Sequence, residues 1–272
     1  MRLPIPVQVD GKVFTDVKVK EANAGVVADT RREAESGAIY SSLLVWCVGV
    51  VEEISSEDET ITDLSEIKRI VRMMPFESAY ALACYGMAET KGDDSIPGVY
   101  ECPKCKATVR AEKYEEDGEE IDNTDHLKLI EYEVCDRPQD GISISLDKPV
   151  EIKRRDNGEV QETIESISMD YPTIGQCIRA HQKTPDDDSK MQFVLYADSV
   201  KLVNGQKPNP NWKTSYGDIT FSRMSMRDLS KITDALKKYA IDTRVERVCL
   251  KCHNRWKADI DLNGFFGSGL KQ

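Results

Sequence analysis

Histidine is scarce in this chain: three residues in 272, His126, His181 and His253, fall among stretches that read as loops and helix ends. No Gly-x-Ser-x-Gly elbow, Walker loop or Gly-x-Gly-x-x-Gly turn is present, which excludes the commonest hydrolase and nucleotide-binding machinery. Carboxylates are abundant instead, 48 Asp and Glu, so an acid pair has almost no diagnostic value here. Basic residues are too few to balance them, and the formal net charge of −11 sets up a field that repels a polyanion. Nucleic-acid binders normally carry a basic surplus or stripe, because phosphate neutralisation supplies much of their affinity. Long apolar runs are missing as well. The best candidate, residues 38–51, is broken by polar residues and ends at Glu52-Glu53, short of the ~20 apolar residues a membrane helix needs. Met1-Arg2-Leu3-Pro4 leads into a strand pattern and not into an apolar run, so no secretory leader is expected. A cytoplasmic setting follows as the expectation, with thiols reduced and the eight cysteines free of any need to pair.

What is present is chemically specific. Cys102-Pro103-Lys104-Cys105 and Cys249-Leu250-Lys251-Cys252 are two Cys-x-x-Cys knuckles, and together they supply the thiolates of one tetrahedral zinc. A Cys-x-x-Cys turn lets two sulfurs converge on one ion while backbone N–H groups of the turn point at them. With Cys102, Cys105, Cys249 and Cys252 all as ligands, no position stays open for water, and the Zn²⁺ is structural and not catalytic. Lys104, Lys106 and Lys251 stand where positive charge offsets a tetrathiolate centre, and Pro103 stiffens its turn. Ordinary reduced thiols or a redox pair are the competing reading, but a redox motif normally comes singly, opening a helix after a strand. His253 can substitute for a sulfur, although a solvated neighbour is the expected role. Cys47, Cys84 and Cys177 lie in apolar or helical contexts as small core residues. Cys135 reads as strand filling, with a spare ligand as the alternative.

Roughly half the chain separates the knuckles, and the order of patterns around them accounts for it. Residues 4–9, Asp10-Gly11 and residues 13–19 read as a β-hairpin; residues 150–153, Asn157-Gly158 and residues 160–167 repeat it. Helices are expected next, at 26–36 after Gly25 and at 174–182 near Gly175, then apolar segments at 43–48 and 193–197. Asp63-Leu64-Ser65-Glu66-Ile67 and Asp228-Leu229-Ser230-Lys231-Ile232 read as matching helix starts, with Asp63 and Asp228 as N-caps. The longer path to the first knuckle implies an insertion at 83–99. Divergent duplication, with pseudo-twofold packing of the copies around a shared zinc, explains the gap. The expected fold class is α+β: two related halves, each of β-hairpin, helices and Cys-x-x-Cys knuckle, joined by a zinc-ribbon-like site. The domain lines fall at 1–112 for the first half with its knuckle, 113–141 for an acidic linker or insertion, and 142–272 for the second half. Residues 115–125 read as a solvated loop and Pro185-Asp186-Asp187-Asp188-Ser189 as a turn. Trp212 ends a loop that it either anchors or offers to a partner. Phe265 and Phe266, beside glycines, either cover the ribbon's own core or anchor a protein partner.

Several of these residues carry a family resemblance. The hairpin from Val7-Gln8-Val9-Asp10-Gly11 to Val19-Lys20-Glu21, the helix from Asp63 through Met73-Met74-Pro75, the knuckle Tyr100-Glu101-Cys102-Pro103-Lys104-Cys105 and the ending Asp261-Leu262-Asn263-Gly264-Phe265-Phe266 resemble baseplate hub assembly proteins of T-even-like contractile-tailed bacteriophages. In look these are related to tail assembly chaperones. The resemblance implies a non-enzymatic structural or assembly protein of the virus tail, in the virion or in the host cytoplasm during assembly. Its partners would be other tail and baseplate proteins, with a homo-oligomer left open, and no membrane. The alternative is a nucleic-acid-binding zinc-ribbon accessory protein, kept in view by Lys104, Lys106, Arg110, Lys251, Arg255 and Lys257 around the knuckles and disfavoured by net charge.

Overall fold

A computed structural model of the chain describes residues 1–93, 95–96, 98–116, 118–126, 141–153, 158–237 and 244–259. The opening alternation forms β1 (Arg2–Val9) and β2 (Lys12–Val19), turned by Asp10 and Gly11 at φ 50° and 78°. Two successive positive φ values are the type I′ turn whose twist suits a hairpin, and Asp-Gly tolerates it. α1 (Ala24–Glu35) starts at Asn23, whose Oδ1 accepts the Val26 N–H, and α2 (Ile39–Val50) follows. β3 (Val51–Ser56) returns beside β2 and β4 (Thr60–Ile61) completes an antiparallel sheet of order β1-β2-β3-β4. α3 (Leu64–Arg72) is capped by Asp63, which accepts the N–H groups of Ser65 and Glu66 as its place in the sequence predicts. α4 (Phe76–Lys91) ends on left-handed Gly92. Most of the expected insertion at 83–99 is therefore the body of α4, whose Ala81, Leu82, Ala83, Cys84 and Met87 are buried in the first core.

The first knuckle sits between β6 (Val99–Glu101) and β7 (Thr108–Arg110), just after the short β5 (Ser95–Ile96). The acidic stretch is exposed at Glu115, Gly118, Glu120 and Asp122, as its composition suggests, but it is not a loop. It forms a hairpin of β8 (Lys113–Glu116) and β9 (Glu119–Asp122), in which Lys113 pairs with Glu120 and Asp122, and then dives inward. Asn123 and Asp125 are buried, and β10 (Asp125–His126) pairs with β5. Cys135 and the Phe265-Phe266 pair lie outside the described residues.

β11 (Ile142–Lys153), β12 (Val160–Met169) and β13 (Val200–Val203) make a second antiparallel sheet in that order. α5 (Ile174–Lys183) begins with a Thr173/Gln176 capping box. Pro185 and Asp186 form the expected turn, and α6 (Asp188–Ser199) then takes Asp187 as its N-cap. A π-helical turn, Trp212–Tyr216, leads to α7 (Gly217–Arg223) and α8 (Met226–Lys237). Trp212 is an anchor, 2% exposed, donating from Nε1 to Ala197 O at 3.0 Å. β14 (Arg244–Val248) and β15 (Arg255–Asp259) flank the second knuckle. Among the described residues no helix is long and apolar enough to cross a membrane.

The molecule is thus mixed α+β with several antiparallel sheets, and the order hairpin, two helices, third strand, two helices occurs before each knuckle. Packing follows the same order: α4 lies on β1 and α8 on β11, while α2 packs on α3 and α6 on α7. β1 breaks register between Arg2 and Val7, and β11 between Ser145 and Val150. Prolines sit in both breaks, Pro4 and Pro6 in the first and Pro149 in the second, and backbone groups there are taken up by a buried side chain from the first turn of the covering helix. On α4, Ser78 Oγ accepts the Ile5 N–H at 2.9 Å and donates to Ile5 O at 2.7 Å. On α8, Asp228 Oδ1 accepts the Asp147 N–H at 2.7 Å.

Asp228 is accordingly not an N-cap. Ser225 is: its Oγ accepts the Asp228 N–H at 3.1 Å and its carbonyl accepts the Leu229 N–H at 3.0 Å, so the helix starts earlier than expected. Asp228 thus bonds a strand break, as Ser78 does, whereas Asp63 caps its own helix. Pseudo-twofold packing of the helical bodies is not observed either. α5 inserts Ile174 and Ile178 into the first core, against α2, α3 and α4. Ile174 N–H donates to Met74 O at 3.1 Å and Phe76 N–H to Pro172 O at 2.8 Å. Among the described residues α1 makes no packing of that extent on α6, α7 or α8, so no second contact of the same kind joins the helical bodies.

Candidate metal centre

Each knuckle is a tight turn at the tip of a two-stranded hairpin. In the first, Cys102 N–H donates to Ala107 O at 2.9 Å and Lys106 N–H to Cys102 O at 2.9 Å. The second repeats this, with Cys249 N–H to Asn254 O at 3.0 Å and His253 N–H to Cys249 O at 2.7 Å. Lys106 and His253 occupy the same place and both adopt left-handed backbone, φ 61° and 52°. The turn therefore demands a conformation that side chains other than glycine's resist.

The tips face one another. Cys102 Sγ lies 3.7 Å from Cys252 Sγ, and Cys105 Sγ lies 3.6 Å from Cys249 Sγ, although these cysteines are 150 and 144 positions apart in the chain. All four sulfurs fall within 4.8 Å of one another. A tetrahedral ion bonded at ~2.3 Å sets its sulfurs about 3.8 Å apart, so the cage has the right size. First cysteine meets second cysteine in both pairs, which gives the tips the twofold relation that the helical bodies lack. Cys102 and Cys249 are buried with Val109 in a small apolar core, against which Cys105, Cys252, Ala107 and Trp256 pack.

The sulfurs influence one another's charge. Burial opposes ionisation of Cys102, but the N–H groups of Cys105 and Lys104 aimed at its sulfur, with the Cys252 sulfur, prevail and bring its thiol down to about 6. At Cys252 the Asn254 N–H favours the thiolate, yet burial and the three other sulfurs push the thiol up to about 12. Sulfurs this close cannot all carry charge unaided, and a divalent cation relieves the repulsion by taking the place of protons. The donor set, four converging thiol groups with no carboxylate or imidazole, suits a closed tetrahedral metal shell. Among the described residues it is the one cluster of three or more potential metal ligands. No family model, no curated protein and no solved structure matches this chain.

The remaining candidates disperse. His253 is exposed on its knuckle, His126 stands 3.8 Å from Asp122, and His181 stacks edge-on to Tyr40. Cys47, Cys84 and Cys177 are buried thiols; burial pushes Cys84 and Cys177 up to about 12 and Cys47 further, which leaves them inert core residues. A cavity of about 280 Å³ opens between the helical bodies beside Tyr40, Phe76, Tyr171 and Leu195, with Glu77 and Lys237 its ionisable side chains apart from tyrosine and Cys177. The basic residues of the knuckles are exposed, but Glu101 holds Lys106 at 3.0 Å and Glu246 holds Arg255 at 3.3 Å.

Sequence reasoning passed over one group beside the cage. Arg247 and Asp125, 0% and 1% exposed, form a buried ion pair, and the guanidinium lies 3.6 Å from the centroid of the Tyr100 ring. Tyr100 OH donates to Asp125 Oδ2 at 2.5 Å. A signal was present: Tyr100 and Arg247 each stand two residues before the first cysteine of a knuckle.

Proposed function

We propose that this chain is a non-enzymatic, zinc-clasped structural or assembly protein of a contractile phage tail, acting at the baseplate hub through protein–protein contacts. The observation that carries the reading is the closed cage of Cys102, Cys105, Cys249 and Cys252, built from opposite ends of the chain. Four thiolates favour zinc among common ions and leave no coordination position for substrate or water, so the ion takes no catalytic part. The baseplate hub assignment rests on the resemblance of the hairpin, helix and knuckle residues, and it places the protein in the virion tail or in the host cytoplasm during assembly.

We further infer that the two hairpin–helix–knuckle runs are divergent copies. Their shared strand break, with Pro6 and Pro149 followed by Val7 and Val150, and its sealing by Ser78 and Asp228, support that reading over chance recurrence of common elements.

Metal analysis tests the clasp: the purified protein is expected to hold one zinc per chain, and each Cys→Ser change at the four positions to lower it. Retention of one zinc with Cys249 and Cys252 both replaced would sink the shared site. For the tail assignment, deletion of the gene from its phage should leave filled heads without functional tails; normal tails would refute it. Exposed Lys104 and Lys251 favour the nucleic-acid reading, and a salt-sensitive DNA or RNA gel shift by the purified protein is the outcome that would replace the first proposal with it.

A further inference from the structure

Buried beside the cysteine cage is a second, protein-only connection between the knuckle hairpins. Arg247 belongs to β14 and is fully buried; its guanidinium bonds Asp125 and donates to Asn123 O at 2.7 Å, with Tyr100 of β6 stacked against it. Only its Nε lacks a partner among the described residues. Asn123 grips the next residue like a neighbouring strand: Nδ2 donates to Val248 O at 2.9 Å and Oδ1 accepts the Val248 N–H at 2.8 Å. The gripping segment is itself tied down, because Asp125 and His126 pair with Ser95 and Ile96, and Asn123 N–H donates to Glu112 O at 3.2 Å. Gly98 leaves the space this requires; a Cβ there would stand 2.7 Å from the Tyr100 ring and 2.9 Å from Asp125 Oδ2.

None of these contacts passes through a sulfur. They act on the residues immediately before Cys249 and two before Cys102, which sets the direction in which each knuckle points. We propose that Arg247, Asp125, Tyr100 and Asn123 form a lock that holds the two hairpins in register without metal, so that the cage is a preformed receptor which takes up and releases its ion while the chain stays folded. The lock rests on the zinc reading only for the identity of that ion. Arg247 and Asp125 are positioning residues for the metal site: a cage already assembled need not spend binding free energy on bringing its halves together.

Hydrogen–deuterium exchange on zinc-loaded and chelator-stripped protein tests this, with zinc content measured separately. In the wild type, peptides over 99–110 and 244–259 should remain protected after stripping. In Arg247→Met the same peptides should exchange at least about tenfold faster when stripped, recover protection on adding zinc, and bind zinc at least about tenfold more weakly in competition with a chromophoric chelator. Unchanged exchange across α4 reports that the variant is folded. Asp125→Asn, which keeps the side-chain shape, should move in the same direction and carries the test if Arg247→Met does not fold. Stripped wild type that loses protection over both hairpins, or variants that match the wild type in the stripped state, would overturn the lock. A protein that never binds zinc would defeat the metal reading alone, and the exchange rates of the metal-free hairpins would still decide the lock.

Discussion

Asp228 shows how much one buried side chain can be asked to do. Burial disfavours its charged form, but the Ser225 hydroxyl and the N–H groups of Asp147 and Lys148 outweigh that and hold its carboxyl below the usual range. The folded chain thus binds the anion better than the unfolded chain does. The resulting stability is complete above about pH 4, the ordinary carboxylate value, and fades as the pH falls through the lower folded value. Asp228→Asn removes the charge and turns amide hydrogens toward donors already present. A loss of ~2–3 kcal/mol at neutral pH is expected by denaturant titration, on the scale of hydrogen bonds to a charged group. The gap from wild type should narrow below about pH 4; a gap independent of pH would show that the carboxylate is not what seals β11. The residue was legible as an N-terminal helix carboxylate. Its actual bond, to a strand far away in the chain, was not.

At the level of elements, paired glycines separate what helices need locally from what packing needs. Gly25 and Gly175 are each the second residue of their helix, α1 and α5. A Cβ at Gly175 would stand 2.9 Å from Arg72 O and from Arg72 Cγ, whereas at Gly25 the one near atom is the Oδ1 of its own N-cap Asn23, at 3.1 Å. Alanine favours a helix over glycine by up to ~1 kcal/mol. At Gly175 the collision with backbone, at ~1–3 kcal/mol, should exceed that gain. Thermal denaturation should therefore find Gly175→Ala destabilising and Gly25→Ala neutral or slightly stabilising; equal effects would mean that α5 does not seat closely on α3. Hairpins, the Asp63 cap and the buried cysteines were readable because turn chemistry, capping and alternation act between near neighbours. The likeness of residues 63–67 to 228–232 misled, since a carboxylate followed by an amphipathic helical pattern suits any first turn. What Asp228 bonds was set by the strand that its helix covers.

For the whole molecule, Ile174 and Ile178 seat in the first core, so the two helical bodies share buried apolar surface. Unfolding either body exposes apolar surface of the other, and the knuckles join them a second time. Calorimetry of the zinc-loaded protein should give a single transition, shifted down but still single after chelation; two well-separated transitions would show that the cores are not coupled. The sequence by itself determined which four cysteines pair up as two knuckles, the α+β class, the Asp-Gly hairpin and the absence of a long apolar run, because each is written in spacing or composition at short range. Only the tertiary structure decided that α5 seats in the first core while the knuckle tips meet face to face, and that a buried arginine and aspartate pack with a tyrosine near the knuckles. Those outcomes depend on shape fit between surfaces remote in the chain, and on a buried charge finding its one partner, and neither leaves a periodic trace in the order of residues.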